Sequence, residues 1–197
     1  MGEIMEYLND IRLKFDELNI MSNDIVNAIE PIENKEKKID TATDLLEDML
    51  IAAYMLGYEH VSEMLGISIS IDVDLMHNAL YEVIQGETFP DRVRTHIDND
   101  DMDALYLLIG DEYHRVYAYS AEDAARAVQN KGYEVFKTWV TMGDDKVRDT
   151  HRYIDMQTIS IDSEWYTYDG DHATRPGGFE KAQNNCGCRC VVLYTRI

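Results

Sequence analysis

Two groups of side chains near the C-terminus have the types and spacing to do chemistry. Asp145, Arg148 and His151 follow one another at three-residue steps, and Cys186, Cys188 and Cys190 alternate with Gly187 and Arg189. On one helical turn, Asp145, Arg148 and His151 would share a face. Asp145 could then pair with Arg148, and a carboxylate could orient the imidazole as a metal ligand or a general base. A salt-bridged turn around a structural histidine meets the same spacing. In an extended segment the three cysteines would point to one side. Zinc takes Cys and His donors, usually four of them. Cys188 and Cys190 with His151 make three, and Asp145, Asp155, His172 or Cys186 could supply the fourth. A buried thiol cluster beside Trp139 competes with the metal. Nucleophilic catalysis by a cysteine would need a base and an oxyanion site, with His151 as the base. Arg189 could grip a carboxylate or phosphate through both arms of its guanidinium, and an internal Asp is its expected partner. No phosphate-binding Gly-rich loop and no dinucleotide fingerprint occurs.

The charge around these residues is uneven. The net formal charge of the 197 residues is −20, yet residues 133–197 hold 10 acids and 8 bases, while residues 1–132 hold 28 acids and 10 bases. Such an acidic stretch repels nucleic acid and anionic membrane, and acid blocks are usually solvated faces. Arg115, Arg126, Lys131, Lys137, Lys146, Arg148, Arg152 and Arg175, interleaved with tyrosines, could still give DNA a local basic patch. No apolar run reaches the ~18 residues of a membrane span. The start Met1-Gly2-Glu3-Ile4-Met5-Glu6 has neither a basic region nor an apolar signal core. Synthesis and folding in the cytosol are expected, where clustered thiols favour metal or burial over a disulfide.

The positioning elements follow from periodicity. Ile4, Leu8, Ile11, Phe15 and Leu18 predict an amphipathic helix over about residues 3–29, with a break at 19–23 and a charged linker at 33–38. Thr41 or Thr43 is expected to cap a second helix that ends at Gly66, with Gly57 inside it marking close packing. Residues 67–71 alternate like a strand or an extended connector. Asp72 or Asp74 is expected to cap a third helix to about Ile84, and a fourth runs from about Asp91 to Ile97. The longest helical pattern spans about 102–130, apolar first and then rich in alanine. Strand chemistry then takes over at 135–141, 158–161, 165–168 and 191–194. The expected fold class is α+β, a mostly α-helical N-terminal arm with a small C-terminal α+β module. The expected divisions are 1–38 (helix and charged linker), 39–132 (helical region) and 133–197 (C-terminal module).

Several separated points of this module agree with one known pattern. Lys137-x-Trp139, Asp145-x-x-Arg148-x-x-His151 with Val147, the Pro176-Gly177 turn and Asn185-Cys186-Gly187-Cys188-Arg189-Cys190 resemble the phage Mu F-like minor head proteins, or phage head morphogenesis proteins. The resemblance covers about residues 103–194 and extends more faintly over 40–102. His114-Arg115 and the small-residue helix at 118–127 resemble the helix that precedes the module. Two departures stand out. Met156-Gln157 replaces the family's Gly-Gln, and Gly187 is inserted, so Cys188 and Cys190 align with the family's cysteine pair and Cys186 is extra.

The resemblance implies a minor component of a tailed-phage or prophage head, associated with the portal and other head proteins during assembly, DNA packaging or DNA delivery. Its expected location is the virion, inside the head or near the portal, after assembly in the bacterial cytoplasm. No membrane and no small-molecule substrate is expected. Trp139, Asp145, Arg148, His151 and Arg189 would then be a structural cluster, with structural zinc on His151, Cys188, Cys190 and Cys186. The enzymatic alternative is a metal-dependent hydrolase or nuclease using the same His, Asp and Cys side chains.

Overall fold

The computed structural model describes residues 20–197, so the apolar stripe of residues 4–18 lies outside it. Helix α1 covers residues 20–29, and residues 20–23 are helical rather than a break. Helix α2 (Lys35–Leu65) begins earlier than Thr41 or Thr43. Its cap is Asn34, whose Oδ1 accepts the Lys37 N–H at 2.9 Å. Asn caps a helix at least as well as Thr, and Lys and Glu are good helix formers, so the charged stretch is helical from residue 35. Thr41 turns back instead, donating to the Lys37 carbonyl at 2.8 Å.

Gly66, at φ +63°, follows the last turn of α2. Residues 67–71 form a connector and not a strand, because alternation without a neighbouring strand has no ladder to join. Asp72 caps α3 (Val73–Leu80) through bonds from the Asp74 and Leu75 N–H groups. Thr88 and Asp91 form a capping box ahead of α4 (Phe89–Asp98). Helix α5 spans Met102–Gln129.

Two compact units result, each drawn from two stretches of chain. One takes residues 20–48 together with Val83–Gly110, and the other takes Met49–Glu82 with Asp111–Ile197. In the first, Ile25, Ile29, Ile39, Leu46, Phe89, Val93, Ile97, Leu105 and Ile109 are buried. Arg94 grips both carboxylate oxygens of Glu36, an exposed pair that adds little stability. No helix among the described residues is long and apolar enough to cross a membrane.

In the second unit the alanine-rich half of α5 buries Ala118, Ala121, Ala124, Ala125 and Val128. Gly57 of α2 meets this half so closely that an added Cβ would overlap Ser120 Oγ and lie 2.5 Å from the Tyr117 carbonyl oxygen. Ala at this position gains roughly 1 kcal/mol of helix propensity but forces two backbones apart, which typically costs about 1–3 kcal/mol. Gly57→Ala should therefore lower the urea midpoint despite the better helix former; an unchanged midpoint would contradict the close approach.

Strands β1 (Val135–Val140), β2 (Thr158–Ser160) and β5 (Val191–Arg196) make an antiparallel sheet in the order β2-β1-β5. Register is fixed by Val140 opposite Val191 and Lys137 opposite both Tyr194 and Ile159. Period-two alternation turns Val135, Lys137 and Trp139 to one buried face. A separate hairpin pairs β3 (Trp165–Tyr166) with β4 (His172–Ala173), and β4 has no counterpart in the sequence expectation. The short helices α6 (Asp149–Ile154) and α7 (Ala182–Asn185) complete the unit. The chain is α+β, as expected.

Candidate metal centre and its supporting network

His151 lies on α6 with 1% of its surface exposed. Its Nδ1 stands 3.3 Å from Cys190 Sγ and 3.6 Å from Cys188 Sγ. The three donor atoms lie within 4.8 Å of one another, and all three residues are buried. Cys188 and Cys190 occupy the extended approach to β5, so alternation turns both inward. Gly187, at φ +65°, bends the chain just before them and donates its N–H to Asp111 at 2.7 Å. Cys186 therefore sits ahead of the bend, exposed, and is not one of the three grouped residues.

Aromatic rings enclose the imidazole. Phe179 stacks on it at 5.3 Å, and Trp139 meets it edge-on at the same distance. Trp139 also contacts Trp165 and Phe179 edge-on at 5.1 and 5.6 Å. His151 Nε2 is buried with no hydrogen-bond partner. The Trp139 N–H meets no acceptor in hydrogen-bond geometry, but it is near enough to Cys190 to favour that thiolate. The hydrogen bond from Cys190, then the one from His151, holds the Cys188 thiol well below its ordinary range. The same bond to Cys188, reinforced by burial, pushes Cys190 well above it.

The neighbouring turn assembles differently from the spacing argument. Asp145 lies in a turn ahead of α6 and is exposed, so it does not share a helical face with Arg148 and His151. Asp144 opens that turn, accepting the Lys146 N–H at 3.1 Å. Asp144 is also the acid that meets Arg189, through two bonds of 2.9 and 2.8 Å. This bidentate grip holds the Asp144 carboxyl below its ordinary range. Arg148 donates to the Gln183 and Cys186 carbonyls, tying the turn to α7. Asp155, once a candidate fourth ligand, accepts the Thr141 N–H at 2.8 Å.

The loop before the cysteines is held by acids and amides that spacing did not single out. Buried Asp171 accepts the His172, Glu180 and Lys181 N–H groups and the Asn184 side chain at 2.7–3.2 Å. Asn185 bonds Phe179 through both backbone groups, at 3.0 and 2.6 Å, which fixes the ring that covers His151. The side-chain bond from Thr167, and then Lys181, keeps Asp169 well below the usual carboxylate range.

Behind Trp139 lies a buried ionic network. Lys137 is fully buried, donates from Nζ to the Thr174 carbonyl at 2.9 Å and sits over the Trp165 ring at 4.8 Å. Glu122, 4% exposed, accepts from Arg126, Thr174 and Arg175. Burial raises the Glu122 carboxyl, but Arg175, Lys137 and Arg126 outweigh it and hold the group below its usual range. Burial lowers Lys137 to about 8, against a smaller pull from Glu122.

The folded chain thus releases the Lys137 proton before the unfolded chain, whose lysines titrate near ~10.4. Between these values the unfolded state binds more protons, so stability rises with pH and is lost as pH falls through the folded value. The urea-derived free energy should rise by about 2 kcal/mol between about pH 7.5 and 9.5, and Lys137→Met should flatten that slope. Equal slopes in both proteins would contradict it.

Of the eight basic residues of the sequence expectation, Lys146 and Arg152 are exposed and Lys146 lines one small cavity with Arg148, while the other five are buried or engaged. Arg115 and Lys137 are buried, and Arg175 is mostly covered and paired with Glu82 and Glu122. Arg126 pairs with Glu122 and Asp162, and Lys131 donates to the Ser68 carbonyl.

Residues 74–193, more than half of the chain, match the family described as Phage Mu protein F like protein. The chain belongs to the phage Mu protein F-like family. The match takes in every buried group of the centre and network, from Arg115 and Glu122 to Lys137, His151, Cys188 and Cys190. The minor head protein GP7 of Bacillus phage SPP1 is 32% identical to this Mu F-like chain over 75 residues, 38% of the chain and 23% of that protein. The chain thus covers under a quarter of that relative's length. No solved structure matches it. Met156, which the resemblance sets against a family Gly, adopts φ +59°, a left-handed conformation that glycine reaches without penalty.

Proposed function

We propose that this Mu F-like chain is a minor component of a tailed-phage or prophage head. It associates with the portal and other head proteins during assembly, packaging or DNA delivery, and resides in the virion. Family membership over residues 74–193 carries this reading, and the name of the SPP1 relative, a minor head protein, supports it. The site favours a structural over an enzymatic role. His151, Cys188 and Cys190 are buried, and the cavity beside them, about 10 Å³, has room for roughly one water.

Co-expression with a tagged portal protein from the same genome tests the partnership: the chain should be retained with the portal, and elution of the portal alone would oppose it. A structural centre also predicts that His151→Ala lowers the melting temperature by roughly 5 °C or more, at about 2–4 °C per kcal/mol for a chain of this size. An unshifted melt would instead favour the hydrolase alternative.

A further inference from the structure

We propose that His151 Nδ1, Cys188 Sγ and Cys190 Sγ hold one zinc ion, with a solvent molecule as the fourth donor and Cys186 outside the set. This assignment stands independently of the role in the phage head. Zinc bonded at ~2.05 Å to nitrogen and ~2.3 Å to sulfur in a tetrahedron places those donors about 3.6 Å apart. The observed separations are 3.3 and 3.6 Å. A fully buried imidazole aimed at two buried thiols is a costly way to fill a core. Two thiolates and a divalent cation cancel in charge, so the ion would let both buried sulfurs ionise without a net charge in the core. His, Cys and Cys are also the soft donors that select zinc over magnesium or calcium.

The surroundings favour a solvent fourth donor over a protein one. The small cavity is lined by all three donors together with Met142, Lys146 and Arg189. Of the other candidate donors, Asp145 is exposed in its turn, Asp155 accepts the Thr141 N–H, and His172 pairs with Glu164 at 3.2 Å. The left-handed Gly187 is what separates Cys186 from the other two sulfurs. Three consecutive alternating cysteines thus divide into two ligands and one bystander.

Metal content and cobalt substitution of the full chain decide the matter. Protein expressed in zinc-containing medium and dialysed should retain one zinc per chain. Cobalt-loaded protein should show a thiolate-to-cobalt charge-transfer band with d–d bands of tetrahedral intensity. Cys186→Ser should leave zinc content and bands unchanged, whereas Cys190→Ser should lose about half of the charge-transfer intensity. If Cys190→Ser fails to fold, wild type and Cys186→Ser still give the answer. Folded wild-type protein without metal and without a cobalt band would overturn the site. A band that Cys186→Ser weakens would overturn the ligand assignment.

Discussion

Trp139→Ala should cost about 3–5 kcal/mol of unfolding free energy, the usual range for emptying a large aromatic site in a core. Trp139 is fully buried and touches His151, Trp165 and Phe179. Its backbone accepts from Met156 at 2.8 Å and donates to Gln157 at 3.1 Å, so the strand around the new cavity cannot collapse freely. Edge-to-face contacts among these rings add about 0.5–1.5 kcal/mol each beyond area burial. Urea unfolding followed by far-UV circular dichroism measures the loss, and Trp139→Phe should retain more than half of it. A cost under about 1 kcal/mol for the alanine variant would mean that the aromatic box does not hold the module.

Arg115→Ala should be comparably severe, about 3–5 kcal/mol. This guanidinium is buried in the second unit. It donates to Glu112 at 2.8 Å, to Glu82 at 2.9 Å and to the Ala79 and Leu80 carbonyls at the end of α3. Truncation strips the buried Glu112 carboxylate of its guanidinium and removes a donor from two carbonyls. Buried pairs are strained bargains: breaking one side is costly, whereas replacing both with apolar groups is often neutral. The double variant Arg115→Met/Glu112→Met should therefore recover most of the loss. A thermodynamic cycle over the four proteins checks this, and additive single losses would contradict the coupling.

Much of the scaffold was legible because periodicity and caps are local. The apolar stripe from Leu105 to Val116 marked α5, the pair Asp72 and Asp74 marked the start of α3, and Trp139 with its branched neighbours marked β1. The site was legible only in part, because its contacts depend on single bends. Asp144 and Asp145 are adjacent, and no spacing rule tells which one the turn presents to Arg189. Inserting Gly187 moves Cys186 out of an otherwise regular alternation. Lys137 was readable: it stands two residues from Trp139 in a strand, so the two side chains share a face. Counting it among surface cations ignored that period. Asp171 carried no signal, since most of its partners are backbone groups of a loop whose path is set by tertiary contacts, and Asn185 was legible only as the first residue of the motif shared with the family.

The most direct test of the proposed place in a phage head is quantitative mass spectrometry of purified particles from the genome that encodes this chain. The expected result is a small, fixed number of copies per particle, recovered together with the portal. Its absence from particles, while abundant in the lysate, would contradict a minor head component.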